Sequence, residues 1–210
     1  MTRSRSRMPV IVLFAVAVTV GAQHRAGGQV PPAPATAYPG HFPYTTADVQ
    51  FISGMISHHA QAIVMAGWAP THGAGSSVRT LCERIINAQQ DEITIMQNWL
   101  RDRHQVVPDA KPVPMKMMMN GVEHDMLMPG MLSDEQLKQL DRARGPEFDR
   151  LFLTFMIQHH RGAIAMVDQL FATPGAGQDE AVFKMANDIQ ADQSTEINRM
   201  LKMILTMPGE

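Results

Sequence analysis

Between residues 45 and 206, apolar residues recur at intervals of three and four, which keeps one face of an α-helix apolar and predicts a chain of helices. The first begins at Thr45, with Asp48 three residues on in a capping-box spacing, and stops near Gly67, before Pro70. The second runs from Ser76 or Ser77 to about Arg103. Its stripe of Cys82, Ile86, Gln89, Ile93, Met96 and Leu100 has the i, i+4, i+7 rhythm of a buried face. Gly145-Pro146 opens the third, with proline at the tolerated first position, and Thr173-Pro174-Gly175 closes it. The fourth runs from about Gln178 to Thr206, ahead of Pro208-Gly209. A short extra helix is opened by Ser133 with Gln136 three residues later. No β-type alternation stands out, so the expected fold class is all-α.

The helical pattern occurs twice. Phe51 to Ala66 and Phe152 to Val167 are identical at 8 of 16 positions at a constant offset of 101. Asp48 and Asp149 extend the match upstream. Downstream, Gln89, Glu92, Ile93 and Met96 match Gln193, Glu196, Ile197 and Met200 at an offset of 104. The period is too long for a solenoid unit and reads as a duplicated helical hairpin. The repeats span about 45–103 and 146–206, and a 42-residue segment, 104–145, lies between them. Two hairpins joined by one long crossover predict a four-helix bundle of ferritin-like connectivity over 45–206.

Ahead of the bundle the pattern changes. Arg3, Arg5 and Arg7 precede an 11-residue apolar run, Val10 to Val20, and a small-residue pattern, Val20-Gly21-Ala22. Residues 1–22 read as a secretory signal peptide, because the run is too short to span a membrane comfortably. Residues 23–44, rich in Pro, Ala and Gly, read as a flexible leader. The expected location is secreted or periplasmic, with no stable membrane span after cleavage.

Composition narrows the chemistry. The 210 residues are 45% hydrophobic and 18% charged, which is enough for a packed core. A formal net charge of −2 offers no basic excess for phosphates and disfavours nucleic acid. The single Cys82 excludes an intramolecular disulfide and a cysteine zinc finger, and reads as a small core residue. The outliers are 18 Met and 9 His. Met55, His58, His59 and Met65 share one helix face, and Met156, His159, His160 and Met166 repeat it. Adjacent histidines point about 100° apart, so one of each pair is expected inside and the other at the border. Thioethers favour Cu(I), and imidazole suits copper in either state. Gln89, Glu92, Gln193 and Glu196 lie on the facing stripes, where a carboxylate could orient a ligating imidazole. The bland alternative is a methionine-padded core whose histidines are hydrogen-bonded by those same residues.

The crossover is a second concentration of soft ligands. Met115, Met117, Met118, Met119, Met126, Met128 and Met131 place seven methionines in 17 residues, with His124 among them. No helical period explains the spacing, and such a segment could wrap a soft cation loosely. His24, His41, His72 and His104 stand alone and read as exposed. Glu-x-x-His, His-Glu-x-x-His and glycine-rich phosphate loops are absent, so catalysis has little direct support.

The run Phe148-Asp149-Arg150-Leu151-Phe152 through Met156-Ile157-x-His159-His160-Arg161-Gly162-Ala163-Ile164-x-Met166 resembles the bacterial family called domain of unknown function 305. Pro129-Gly130-Met131-Leu132-Ser133 and the Asp48…His58-His59-x-x-Ala62 segment resemble its other recurring motifs. The resemblance covers about residues 41–206. It implies a ferritin-like helical bundle, export, and copper binding or tolerance as in some members. His58, His59, Met65, His159, His160 and Met166 occupy the family's His and Met positions, while Phe155 departs from its pattern.

The expected function is Cu(I) sequestration or delivery, with iron the less favoured metal. Delivery would need a metallochaperone or efflux partner. A ferritin-like metal oxidase and a non-metal partner-binding module are the alternatives. Imidazole ligation predicts an affinity that weakens as pH falls through about 6.5.

Overall fold

The computed structural model describes residues 43–119 and 122–207. The signal-peptide reading and nearly all of the leader lie outside them. Tyr44, at the leader's end, does not: it is buried, edge-on to Trp99 at 5.4 Å.

The described chain is mostly helical: α1 (Thr46–Gly67), α2 (Ser76–Asp102), α3 (Asp134–Arg142), α4 (Pro146–Ala172) and α5 (Glu180–Thr206). The punctuation residues act as caps. Thr45 and Asp48 close a reciprocal capping box on α1, as do Ser133 and Gln136 on α3. Pro146 occupies the first turn of α4, and Asp179 caps α5 by accepting from Ala181 N and Val182 N at 3.1 and 3.2 Å.

One expectation fails. Residues of the crossover form an antiparallel hairpin, β1 (Met115–Met119) and β2 (Val122–Met126), in which Met117 pairs with His124. Methionine is a weak strand former, and Met-Met-Met breaks the apolar–polar alternation by which half-buried strands are recognised.

α1 packs on α2, α4 on α5, and α1 on α4. The repeat is visible in the joints. Asp48 at the start of α1 accepts from Gly177 N beyond α4 at 2.7 Å. Its equivalent Asp149 accepts from Gly75 N beyond α1 at 3.0 Å. Each hairpin loop is thus tied to the first turn of the other repeat. Burial lifts the Asp149 carboxyl above its usual range, against the lowering effects of the Gly75 N–H and Arg79.

The core has two apolar halves. One gathers the beginnings of α1 and α5 with the ends of α2 and α4, including Ile52, Trp99, Val167 and Ile189. The other gathers the end of α1 with the beginnings of α2 and α4, including Leu81, Ile85, Phe148 and Phe152. The opposed ends make α1 and α4 antiparallel. Full burial of such side chains stabilises by roughly 1.5–3 kcal/mol each. A buried ion pair ties the first half: Arg103 meets Asp179 at 2.5 Å, and Asp179 also accepts from Trp99 Nε1 at 3.1 Å. Burial alone would raise this carboxyl, but the Trp99, Arg103 and Val182 hydrogen bonds outweigh it and hold it below the usual range.

The end of the crossover is pressed onto α4 and α1. A Cβ on Gly162 would meet Pro129 O at 1.9 Å, so only glycine admits the segment. At the equivalent position in α1, Gln61 instead holds it with a two-way bridge: Gln61 Nε2 donates to Leu132 O at 3.0 Å, and Leu132 N donates to Gln61 Oε1 at 2.7 Å.

Two stability predictions follow from these joints. Gly162→Ala forces backbone away from backbone and should cost about 1–3 kcal/mol in urea unfolding. Asp179→Ala leaves a buried guanidinium without its carboxylate and should cost about 3–5 kcal/mol in the same assay.

Candidate metal centre

A polar layer separates the two apolar halves. Along α1 it falls between Ile56 and Ala62, along α4 between Ile157 and Ala163, and along α2 and α5 at Gln89 and Gln193. Its members are the four repeat histidines, the two glutamines, Glu92 and Glu196. All four histidines have 0% exposure, so the expected split into inner and border residues is corrected. The split is one of direction instead. His58 and His159 face each other across the α1–α4 contact, with ring centroids 3.9 Å apart. His59 and His160 turn toward α2 and α5.

Every imidazole gives its Nε2 to an oxygen. His59 donates to Glu92 Oε2 and His160 to Glu196 Oε2, both at 2.6 Å. His159 donates to His58 O at 3.0 Å and His58 to Pro129 O at 2.9 Å. A carbonyl or carboxylate can only accept, so this network assigns the proton to Nε2 throughout. The four Nδ1 atoms are then lone-pair acceptors. All four are buried without a partner, as are Gln89 Oε1, Gln89 Nε2 and Gln193 Oε1. Six of these seven orphaned atoms are acceptors. Buried acceptors without donors are costly, and their remedy is a cation or a water.

Burial, with His59 next, pushes His58 down to about 3. Burial and then His58 hold His159 well below the usual imidazole value. Both are therefore neutral at pH 6.5, and the expected transition there does not describe these two residues.

The predicted thioethers divide. Met55 and Met166 lie in one apolar half, and Met65 and Met156 in the other. Met128 and Met131, from the crossover, are buried beside Met55 and Met166. Three methionines omitted from the predicted site stand with them: Met96 and Met185 in that half, Met200 in the other. Met96 and Met200 were visible as matched repeat positions, whereas Met185 replaces the repeat's Leu81 and had no such signal.

The remaining crossover positions form a separate group. Register places 115, 117 and 119 opposite 126, 124 and 122. Met126 is exposed at 42%.

His72 is not the exposed bystander expected: it is buried, with Nε2 donating to Asp141 O at 2.9 Å. Cys82 is a buried free thiol that burial pushes up to about 12, so it is inert. Among the described residues, no three or more His, Cys, Asp or Glu side chains are grouped as a metal cage. A four-histidine cage is therefore not formed. Carboxylates gather where the layer meets the surface: burial, then Glu92, Glu196 and Asp188, lift the Asp192 carboxyl above its usual range.

Among the described residues no helix is long and apolar enough to cross a membrane. Several known proteins are similar. A chain from Streptomyces coelicolor described as a secreted protein of the DUF305 family aligns with a TM-score of 0.62 and 27% identity, over 75% of this chain and 91% of that one. CopM in its Cu(I)-bound form aligns with a TM-score of 0.57 and 28% identity, over 77% of this chain and 98% of that one. CopM has also been solved in Cu(II)-bound, silver-bound and apo forms. Uncharacterized protein L153 of Acanthamoeba polyphaga mimivirus is 38% identical over 56 residues, a match spanning 37% of that protein's length. The model of the family described as Domain of unknown function (DUF305) matches residues 48–204, and the chain belongs to that family.

Proposed function

We propose that this chain is an exported copper-binding protein, built as a four-helix bundle of ferritin-like connectivity, that holds Cu(I) with imidazole and thioether ligands. The observation that carries the reading is the layer of four buried, partnerless Nδ1 lone pairs. Each belongs to a ring whose Nε2 proton is already given to an oxygen. That is the arrangement of a metal-ligating histidine, oriented through its other nitrogen. A soft monovalent ion suits few, neutral, polarisable donors. Imidazole Nδ1 with Met55, Met65, Met156 or Met166 provides such a set without the cage that a harder ion demands. His58, His59, His159 and His160 are the proposed imidazole ligands, with Glu92 and Glu196 holding His59 and His160 in place. CopM, crystallised with Cu(I), Cu(II) and silver, supports copper as the metal.

The crossover hairpin, with Met115, Met117, Met118, Met119, His124 and Met126 in its sequence, is proposed as a second, looser copper site. Met128 and Met131 belong by burial to the bundle site instead. The role would be sequestration or delivery in the periplasm or outside the cell, with a metallochaperone or efflux partner at the receiving end. Iron is less favoured, because Glu92 and Glu196 each spend an oxygen on a histidine and, among the described residues, no three or more His, Cys, Asp or Glu side chains are grouped as a cage.

An anaerobic Cu(I) competition titration against a chromophoric chelator tests this reading. The double variant Glu92→Gln, Glu196→Gln should weaken the bundle site by about 10–100-fold. Methionine-to-leucine changes at 115, 117, 118, 119 and 126 should spare it and remove only the weaker site. If wild-type protein fails to compete with the chelator, copper binding is refuted.

The copper-free protein should also be acid-sensitive. His58 and His159 are kept neutral in the fold but take up protons near 6.5 once unfolded. The unfolded chain then binds more protons, so stability is full above about pH 6.5 and falls as pH drops below it toward about 3. Thermal unfolding between pH 7.5 and 4.5 should show a falling Tm, and a flat profile would contradict the buried neutral pair.

A further inference from the structure

The histidine layer is roofed on one side and bordered by a seam on the other. On the α1–α4 side the crossover closes it: His58 donates to Pro129 O, Gly130 lies on Gly162, and Leu132 is bridged to Gln61. Opposite stand α2 and α5, which approach each other less closely than the pairs α1–α2, α4–α5 and α1–α4. At the level of the histidines this seam carries polar side chains: Gln89 and Glu92 from α2, Gln193 and Glu196 from α5. Asp188, Asp192 and Glu196 follow at i, i+4 and i+8 and so form one stripe along α5. Asp192 is near enough to Glu92 and Glu196 for their charges to act on it.

The exposures run in steps. Asp192 is exposed, the Glu92 and Glu196 side chains are 17% and 15% exposed, and the imidazoles they hold are at 0%. One turn from Glu92, on the same face, Gln89 is 1% exposed and neither of its amide atoms has a partner. Gln193 repeats this on α5, with its Oε1 unpartnered. Exposure thus falls stepwise from Asp192 through Glu92 and Glu196 to the imidazoles.

We propose that the seam between α2 and α5 is the entrance for the metal cation, with Asp192 as its outermost contact and Glu92 and Glu196 as the step to the histidines. This rests on the metal-binding reading above. Each glutamate gives one oxygen to its histidine and keeps the other for a passing ion. Carboxylates gathered beside the layer raise the local concentration of cations and so their rate of uptake. They select for positive charge alone; selection for a soft ion falls to the imidazoles and thioethers within. Asp192 touches the ion in transit and not at rest, so its loss slows uptake and release together and leaves the equilibrium affinity unchanged.

The test is stopped-flow transfer of Cu(I) from a chromophoric chelator to the full chain, alongside an equilibrium titration. Asp192→Asn should slow uptake by about tenfold at low salt, with an unchanged Kd and a weaker dependence on ionic strength. Ala88→Lys, at the position on α2 equivalent to Asp192 and one turn before Glu92, puts a cation in the seam and should slow uptake likewise. Asp102→Asn, which removes an exposed charge at the far end of α2, should leave the rate as it is. Wild-type rates in both seam variants, or a loss of affinity in Asp192→Asn at an unchanged uptake rate, would overturn the entrance. A wild-type chain that takes up no copper fails the metal-binding reading itself, an outcome the equilibrium titration reports separately.

Discussion

Four buried imidazoles that give their Nε2 protons to oxygens and keep their Nδ1 lone pairs unused are the constraint around which this protein is organised. An apolar core crossed by such a layer is less stable than a continuous one would be. The compensation comes from the surroundings. Glu92 and Glu196 reach in from α2 and α5, the His58 carbonyl serves His159, and the crossover supplies Pro129 O for His58. Removing any of these acceptors would free a proton inside the layer and alter which nitrogen is available to a ligand. The tautomer, and with it the chemistry, is a property of the whole packing arrangement.

The crossover is therefore part of the histidine layer's hydrogen bonding and more than a tether. Its docking uses two different devices at equivalent places on the duplicated helices: an absent side chain at Gly162 and a bidentate amide at Gln61. A single strand of chain cannot lie symmetrically on a two-fold pair, so the two repeats diverged where it touches them. The conserved rhythm elsewhere, with Asp48 and Asp149 each tying the other repeat's loop, shows how closely the remaining joints kept their equivalence.

Much of this was legible in the residues. Helix ends are local events, decided by a cap or a proline, and Thr45, Ser133 and Pro146 marked them. The repeat aligned His58, His59 and Glu92 with His159, His160 and Glu196, which made them equivalent but left open whether the two pairs meet. Ring directions were not legible, because adjacent helical positions differ by about 100° and only tertiary partners decide which way each ring turns. The burial of His72 depended on Asp141, 69 residues away, and left no local trace. The hairpin did leave one: Asn120-Gly121 lies between its strands, the strongest short hairpin signal, and it was masked by the methionines around it.

The methionines divide into a set that both repeats share and a set found on one side only. Met55, Met166 and Met96 on one side of the layer correspond to Met156, Met65 and Met200 on the other, so a thioether trio per half follows from the repeat alone. Among the buried methionines the first half then exceeds the second by three: Met185 stands where the other repeat has Leu81, and the crossover inserts Met128 and Met131, while the half-buried Met203 and Met207 pack against the second half. Packing gives no reason for this choice, since leucine fills the equivalent space and holds its shape better than methionine. The excess lies on the side where the crossover enters, next to the histidine whose Nε2 the crossover engages. The buried thioethers are thus unequal on the two sides of the layer, and a soft ion in the layer would meet a different set of donors on each side.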